Sequence, residues 1–274
     1  MRTVVSYAMA GATVLLVAIF SFTFFHWKLF FWGAGSVPFQ SVLHDRFVLI
    51  AHGLGGIDGK SILNAREAFE GSYQRGKRVF ETDLMFTEDG VLVAFHEGIE
   101  NWFGWDKKIG EMKAEEFLGK KLFGKYSTMT FDDLLSLMEK YPDVWLVIDT
   151  KDDFSRSMSG IVRVVDAHNP DLLRRIVPQV YREEDIKFLR TDYPQIREAI
   201  LTLYRVDYKD ERVLQLATMY PEIVAVSMSL ERFSERLVTG LKEKGTTALV
   251  HTVNDEKEIE RYARLGVGGV FTDK

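Results

Sequence analysis

The sequence contains no cysteine, which excludes disulfide bonds and cysteine-ligated zinc sites. Any bound metal must therefore be held by carboxylates and histidines. An excess of positive charge is also missing, because 35 lysine and arginine residues against 40 aspartate and glutamate residues give a formal net charge of -5. Charges of both signs are interspersed along the chain, so no basic surface for a nucleic-acid backbone is expected and no nucleic-acid partner is predicted.

Charged residues are absent from a long stretch near the amino terminus. No residue from Val4 to Phe25 is charged, and a helix of that length, rising about 1.5 Å per residue, would cross a hydrocarbon core of roughly 30 Å. We therefore predict one transmembrane helix that anchors the chain in a membrane (residues 1–28), followed by a juxtamembrane segment (residues 29–45). A cleaved signal peptide is the alternative, because small residues at 33–36 offer a peptidase site.

The charges that flank this run indicate its orientation. Arg2 and the amino terminus lie before it and Lys28 lies after it, a weak form of the pattern in which positive charge stays in the cytoplasm. We predict a cytoplasmic amino terminus and an extracytoplasmic catalytic domain close above the bilayer.

From residue 46 to 274, short apolar runs alternate with segments of helical periodicity. Most of the runs are continuous, which is typical of parallel strands covered on both faces. With residues 91–95 interpreted as a local hairpin, eight strands remain, and these favour an α/β fold of the (β/α)8 TIM barrel type; a doubly wound open sheet is the alternative. The predicted strands span residues 47–51, 79–85, 91–95, 145–148, 176–180, 198–203, 224–228, 248–250 and 269–271. The predicted helices span residues 64–75, 131–141, 155–167, 183–189, 210–218, 230–244 and 255–265.

Two features depart from a regular barrel. Only a few residues follow the last predicted strand, so we expect residues 37–44, a neighbouring molecule or the membrane surface to cover it in place of an eighth helix. Residues 98–129 form an insertion that is too long for an ordinary connection. Its aromatic residues and lysines predict either an interface with lipid or a small separate core; the aromatic residues are Trp102, Phe103, Trp105, Phe117 and Phe123.

Residues with ionisable side chains lie at or just after the carboxyl ends of the predicted strands. In a barrel these ends converge on one mouth. Glu81 and Asp83 are two residues apart and project to one face, where two carboxylates repel unless a cation or a shared proton separates them. Three carboxylates at this rim suit one divalent cation, Mg²⁺ or Ca²⁺, two histidines suit a general acid and base, and a lysine suits an anionic transition state. These residues, which point to phosphoester cleavage, are His52, Glu81, Asp83, His96, Asp149 and Lys151.

The same residues lie in motifs that resemble the glycerophosphodiester phosphodiesterase family, in particular its bacterial branch associated with phosphatidylinositol-specific phospholipase C. The resemblance implies a (β/α)8 barrel that cleaves phosphodiesters with one divalent cation. It implies His52 and His96 as the catalytic pair, Glu81, Asp83 and Asp149 as metal ligands, and Lys151 as a phosphate contact. The motifs span residues 51–60, 64, 68–69, 76–83, 89–90, 96–97, 129–135, 149–151, 251–254 and 266–273.

Three departures from the family pattern concern the substrate. Gly53 stands where the family commonly has a phosphate-binding arginine, so we expect the phosphate to be bound by backbone amides of residues 53–56 or by Arg205. Asp149 replaces a common glutamate, as in the related sphingomyelinase D and phospholipase D toxins. His251 replaces a tryptophan, which makes one wall of the pocket smaller and polar and offers a head-group contact.

These features predict a membrane-anchored, metal-dependent phosphodiester hydrolase. Its substrate is a glycerophosphodiester, a phospholipid head group or a glycerol-phosphate polymer, and its oligomeric state is not predicted. The alternatives are a non-catalytic module that binds lipid head groups, suggested by the missing arginine, and an activity like that of phospholipase D or sphingomyelinase D.

Overall fold

The computed structural model describes residues 37–274 of the chain. The predicted membrane anchor (residues 1–28) and the first part of the juxtamembrane segment lie outside the described residues. Within residues 37–274, none of the helices has both the length and the apolar character needed to cross a membrane.

A closed barrel of parallel strands forms the body of the molecule. The first strand pairs in parallel both with the last strand and with the second, which closes the ring. This closure confirms the predicted barrel and excludes the open sheet. The parallel strands are β1 (Val48–Ala51), β2 (Val79–Phe86), β6 (Trp145–Thr150), β7 (Ile176–Val180), β8 (Ala199–Thr202), β9 (Ile223–Ser229), β10 (Thr247–His251) and β11 (Gly269–Thr272). As predicted, β3 (Leu92–Ala94) forms a hairpin with β2 and runs antiparallel to it.

Strand side chains point alternately into the barrel and toward the surrounding helices. On β1, Ile50 belongs to the inner apolar cluster, whereas Ala51 belongs to the outer one. Because both faces are buried, the strands read as continuous apolar runs, and this is why the sequence revealed them. Two helices lie outside the outer layer: α1 (Phe39–Asp45) and α3 (Ala114–Leu118). The helices that form the outer layer are α2 (Arg66–Gln74), α4 (Phe131–Lys140), α5 (Phe154–His168), α6 (Glu183–Asp192), α7 (Asp210–Met219), α8 (Glu235–Glu243) and α9 (Glu256–Arg264).

Side-chain caps define where several helices begin. At α4, Thr130 and Asp133 form the predicted capping box, in which each side chain bonds to the other residue's backbone N–H. At α8, Ser234 accepts from the N–H of Leu237. The helix therefore begins at residue 235, later than the predicted residue 230.

A short helix, α1 (Phe39–Asp45), closes the floor of the barrel. Phe39 is fully buried in the inner cluster, with its ring 5.2 Å from that of Trp145 at the start of β6. The carboxylate of Glu198 accepts from the backbone N–H groups of Phe39 and Gln40, both at 2.7 Å. The prediction that residues 37–44 cover the outer face of the last strand is therefore wrong. Val270 on that face is fully buried in the outer cluster between β11 and the helices.

The insertion at residues 98–129 folds into a small unit beside β2 and β3. It contains α3 (Ala114–Leu118) and a two-stranded sheet of β4 (Lys121–Leu122) and β5 (Tyr126–Ser127). Phe117 is fully buried in a separate apolar cluster, and Phe103 and Trp105 pack against that cluster. The insertion thus has the small separate core that was one of its two predicted forms, although 50% of Trp102 and 39% of Phe123 remain exposed.

Candidate active site

One cavity of about 430 Å³ opens at the carboxyl ends of the strands, at the opposite end of the barrel from α1. Eight of the nine residues predicted for the site line it, because the barrel brings equivalent strand ends to one mouth. They are His52, Glu81, Asp83, His96, Asp149, Lys151, Arg205 and His251. The sequence argument did not single out Gln179, Tyr181, Thr202, Tyr204 and Ser227, which also line the cavity.

Three buried carboxylates form a candidate metal site. Glu81, Asp83 and Asp149 each offer an oxygen, and these oxygens all lie within 4.8 Å of one another. Burial, together with the charge of Asp83, raises the pKa of Glu81 well above its ordinary value. Carboxylates forced together in this way, with oxygen as the only donor type, fit a hard divalent cation such as Mg²⁺ or Ca²⁺.

Lys151 lies beside the carboxylates as a fixed positive charge. Its Nζ is 2.7 Å from Asp83 Oδ1 and 2.5 Å from Asp149 Oδ2, and its side chain is only 5% exposed. Burial alone would lower the pKa of Lys151, but the charges of Asp83 and Asp149 outweigh it and raise that pKa. Lys151 alone does not offset the three carboxylates, because the pKa of Glu81 stays raised beside it, and a bound cation would favour the ionised form of Glu81.

His52 is held by an acidic partner from the other end of the chain. Its Nδ1 lies 2.9 Å from Oδ1 of Asp273, just after the last strand. Burial lowers the pKa of His52, but the hydrogen bond to Asp273 and the nearby charges of Glu81 and Asp83 raise it overall to about 9. Because the Asp273 carboxylate can only accept, Nδ1 carries a proton, which leaves Nε2 as the reactive nitrogen.

An asparagine side chain orients each of two carboxylates of the site, Asp273 and Asp83, in the same way. Asn254 accepts from the N–H of Asp273 at 2.8 Å and donates to Asp273 Oδ2 at 2.6 Å. Asn64 does the same for Asp83, at 3.0 Å and 2.8 Å. The side-chain oxygen of Asn254 also accepts from the hydroxyl of Thr272, and that of Asn64 accepts from the hydroxyl of Thr82. Each threonine directly precedes the aspartate that its asparagine holds. Both carboxylates are therefore fixed before any ligand binds.

His96 follows the β2–β3 hairpin, and its Nδ1 lies 2.7 Å from the carbonyl oxygen of Glu97. Since a carbonyl only accepts, this contact also leaves Nε2 available for proton transfer. Burial raises the pKa of Asp83, but Lys151 and, to a lesser extent, a positive charge on the nearby His96 lower it overall. His96 therefore lies near the carboxylates.

Gly53 does not line the cavity, and the prediction that the N–H groups of residues 53, 55 and 56 bind the phosphate is wrong. The N–H of Gly53 donates to Glu81 Oε2 at 2.8 Å, that of Gly55 to the carbonyl of His52, and that of Gly56 to the carbonyl of Asp273. These donors are already used. An arginine at position 53 would not fit either, because its Cβ would lie 2.6 Å from the backbone of Ile62 and the φ angle is +53°.

Tyr181 is a site residue that the sequence did not reveal. Its hydroxyl lies 2.9 and 3.0 Å from the two oxygens of Asp149. Burial and the charge of Asp149 raise the pKa of Tyr181, so the phenol stays protonated and donates. Arg205 stacks over its ring at 5.2 Å and pairs with Glu97 at 3.4 Å. One feature of the sequence could have identified Tyr181. It lies directly after β7 and two residues beyond the inward-facing Gln179, so the two side chains project to the same side.

The remaining strand ends present uncharged polar groups. The hydroxyl of Thr202 donates to Gln179 Oε1 at 2.7 Å, and Ser227 lies on the next strand in register with Thr202. Burial, with the positive charge of His52 as a lesser cause, lowers the pKa of His251 to about 4. That imidazole is therefore neutral at pH 7.

The comparisons with known proteins agree with this architecture. A model of the glycerophosphoryl diester phosphodiesterase family matches residues 56–274. A glycerophosphodiester phosphodiesterase of Bacillus altitudinis is 22% identical over 232 residues, which cover 80% of this chain and 91% of the relative.

Two solved structures show the same fold. A phosphodiesterase of Oleispira antarctica, in complex with the product sn-glycerol-3-phosphate, has a TM-score of 0.70 at 19% identity and covers 84% of this chain and 94% of its own. A glycerophosphodiester phosphodiesterase of Thermotoga maritima has a TM-score of 0.64 at 22% identity and covers 83% of this chain and 95% of its own.

Proposed function

Since the chain belongs to the glycerophosphoryl diester phosphodiesterase family, we propose that it hydrolyses a glycerophosphodiester or a phospholipid head group at the mouth of the barrel. One observation carries the proposal: two histidines and three carboxylates, contributed by β1, the β2–β3 hairpin and β6, line a single cavity. Phosphodiester cleavage needs a proton acceptor for the nucleophile, a proton donor for the leaving oxygen and positive charge near the phosphate.

We assign one divalent cation, Mg²⁺ or Ca²⁺, to Glu81, Asp83 and Asp149. When bound there, such a cation polarises the phosphate and offsets its negative charge. Lys151 adds a fixed ammonium beside two of these carboxylates. Arg205, at the rim, supplies a further positive charge in place of the arginine that the family commonly has at position 53.

His52 and His96 are the proton-transfer pair. Nδ1 of His52 contacts Asp273, and Nδ1 of His96 contacts the carbonyl of Glu97. In each ring, Nε2 is therefore the nitrogen that transfers a proton. One of them removes a proton from the nucleophile and the other protonates the leaving oxygen. Asp273 is a positioning residue, which holds the His52 ring in one tautomer and favours its protonated form.

Two routes to the product are compatible with this pair. If the substrate has a free hydroxyl beside the phosphoester, that hydroxyl attacks the phosphorus in line and a cyclic phosphate forms as the alcohol leaves. Otherwise a water molecule attacks directly. Phosphorus NMR of the early products separates the two routes, because only the first gives a cyclic phosphate.

We further propose that residues 1–28 anchor the protein in a membrane with the barrel on the extracytoplasmic side. The chain enters the described fold at the barrel floor, where Phe39 is buried, whereas His52 lies at the opposite end. The mouth would then face away from the membrane of the anchor. A soluble glycerophosphodiester or a polymer suits this placement better than a lipid of the same bilayer. The orientation is tested in intact cells with one tag at residue 1 and another at residue 274. The tag at residue 1 should be protected from added protease, and the tag at residue 274 should be labelled from outside.

The activity is tested on a panel of glycerophosphocholine, phosphatidylglycerol, phosphatidylinositol, lysophosphatidylcholine and glycerol-phosphate polymer, with Mg²⁺, Ca²⁺ or EDTA. Metal-dependent hydrolysis of any member to an alcohol and a phosphomonoester supports the proposal, and glycerol phosphate as that monoester identifies a glycerophosphodiester substrate. Release of choline from lysophosphatidylcholine alone would instead support the activity like that of phospholipase D. Tight metal binding without turnover of any member would favour the head-group binding module.

A further inference from the structure

A small basic pocket lies at the floor of the barrel, at the opposite end from the catalytic cavity. It has a volume of about 200 Å³ and opens between the amino-terminal ends of β1 and β2. Within the described part of the chain, four cationic side chains and no carboxylate line it. We call it the floor pocket, and its cations are Arg46, Arg75, Lys77 and Arg78.

Lys77 is buried in the floor pocket without an opposite charge. The residue is only 9% exposed. Burial and, to a lesser extent, the charge of Arg75 lower its pKa to about 8, and no acidic group opposes that change. Lys151, by contrast, lies beside Asp83 and Asp149, and its pKa is raised. An uncompensated buried cation costs free energy, so a bound anion would stabilise the folded protein at Lys77.

Two of the other cations also keep their charge. Arg75 donates to the hydroxyl of Ser72 and to the carbonyl of Gly56, and both acceptors are uncharged. Arg46 is exposed and forms no ion pair with any of residues 37–274. Arg78 is neutralised, since its Nε lies 2.5 Å from a carboxylate oxygen of Asp143.

The floor pocket therefore combines three positive charges that lack a counter-ion within the described residues. Guanidinium and ammonium groups are the side chains that bind phosphate oxygens most strongly. A volume of about 200 Å³ is sufficient for a phosphate group but small for a larger ligand. A phosphate anion is thus the ligand that this pocket fits.

The position of the pocket indicates where that phosphate comes from. Arg46 directly follows α1, at the end of the barrel where the described fold begins. Residues 29–36 separate the predicted anchor from Val37, and a chain of that length spans at most about 30 Å. The floor is therefore held near a bilayer surface, where lipid phosphates are concentrated. The half-buried Phe47 and Leu49 also line the pocket, which suits an amphiphile better than a free phosphate ion.

We propose that the floor pocket binds the phosphate of an anionic phospholipid in the membrane that holds the anchor, with Lys77 and Arg46 as its cationic contacts. The inference rests on the proposed anchor, which supplies the lipid surface, and not on the proposed hydrolysis. This second contact with the membrane holds the barrel with its mouth turned away from the bilayer. Basic residues close to a membrane-spanning segment are attracted to anionic lipids in this way.

The test measures binding of phosphatidylglycerol to the full-length protein in a neutral detergent with EDTA. Because the chain has no cysteine, His44→Cys places a single fluorescent label on α1 beside the pocket. We expect a saturable fluorescence change with phosphatidylglycerol and at least about 10-fold weaker binding of phosphatidylcholine, whose choline group the cations repel.

Lys77→Met removes the buried charge and keeps a long side chain. Loss of a charge-assisted hydrogen bond should weaken phosphatidylglycerol binding at least about 10-fold. Lys257→Gln is the matched control, since it removes one positive charge from the first turn of α9 at the mouth end. Its affinity should stay within about twofold of the parent. Without lipid, Lys77→Met should unfold at no lower temperature than the parent, because it removes an uncompensated buried charge.

Equal affinity of the parent and of a folded Lys77→Met for phosphatidylglycerol would overturn the inference. Inorganic phosphate that binds as tightly as phosphatidylglycerol would overturn the assignment to a lipid. Either outcome leaves the proposed hydrolysis intact, since that activity is assayed at the opposite end of the barrel. Lipid binding that depends on Lys77, in a protein that hydrolyses no member of the substrate panel, would sustain the inference and refute the proposed function.

Discussion

The two halves of the barrel mouth occupy equivalent strand ends but have opposite character. The charged half consists of the groups at the ends of β1, β2 and β6, backed by Asp273 just after β11, and the neutral half consists of Gln179, Thr202, Ser227 and His251 on β7 to β10. One charged side chain, Arg205 at the rim, lines the cavity after a strand of the neutral half. Charges in a buried site require compensation, and the charged half provides it: Asp273 pairs with His52, and Lys151 pairs with Asp83 and Asp149. In the neutral half, two buried polar atoms lack any partner among the described residues.

The two halves of the mouth therefore have different roles in the same site. The charged half is oriented in advance, because asparagine clamps hold Asp83 and Asp273 before a substrate arrives. Such preorganisation suits groups that must meet developing charge in a transition state. The neutral half supplies no charge to the transition state, and its side chains act on how a substrate fits the cavity. Substitutions in the charged half should therefore reduce turnover, and substitutions in the neutral half should change substrate preference.

Removal of the divalent cation should produce the largest effect. A cation on a phosphate contributes several kcal/mol of transition-state stabilisation, so we expect EDTA to lower kcat at least about 10³-fold. Steady-state hydrolysis with EDTA, followed by titration with Mg²⁺ or Ca²⁺, measures the loss and its recovery. Full activity after exhaustive chelation would show that the three carboxylates serve another purpose.

Loss of either catalytic histidine comes next. His52→Ala and His96→Ala should each lower kcat/KM by about 10² to 10⁴, the contribution typical of a positioned acid or base. Circular dichroism confirms that the variants fold. Ser227→Ala provides the contrast across the mouth, since it removes neither an acid nor a base and should lower kcat/KM by less than about 10-fold. Unchanged product formation in both histidine variants would exclude the proposed pair.

Asp273→Asn tests the positioning of His52. An amide can donate to Nδ1 and so favour the wrong tautomer, and we expect kcat to fall by about 10² with KM changed less than threefold. Asp273→Glu should recover part of the loss, because it restores an acceptor. A change confined to KM, or an equal loss in the glutamate variant, would indicate a purely structural role.

The two halves should also differ in how pH affects stability. The pKa of His52 is raised to about 9, so its contribution is fully present below an ordinary histidine pKa of about 6.5 and is lost as pH rises through 9. The pKa of His251 is lowered to about 4, so its contribution is present above about 6.5 and is lost as pH falls through 4. Each limb should amount to on the order of 3 kcal/mol of unfolding free energy.

Urea unfolding of the metal-free protein between pH 4 and pH 10 measures both limbs. His52→Gln should flatten only the alkaline limb, and His251→Phe only the acidic one. A variant that flattens the opposite limb would show that the environments of the two histidines are assigned the wrong way round.

Much of the fold could be predicted because its signals are local. Continuous apolar runs revealed every barrel strand, and the Thr130 capping box located the start of α4. The charged half was also predictable, since acidic and basic residues are conspicuous at the ends of apolar strands. The neutral half was largely missed, because serine, threonine and glutamine are ordinary residues there. The use of Gly53 was predicted wrongly, since nothing local indicates that its N–H binds Glu81.

The sequence by itself determined the order of strands and helices, the absence of cysteine chemistry and the identity of the charged groups at the strand ends. Those properties depend on neighbouring residues and on the alternation of side chains along each strand. Tertiary structure alone decided the partners. His52 and Asp273 are 221 positions apart and meet only because β1 pairs with β11. Closure of the barrel also placed α1 beneath the mouth and divided the strand ends into a charged and a neutral half, because only the ring defines which ends are neighbours.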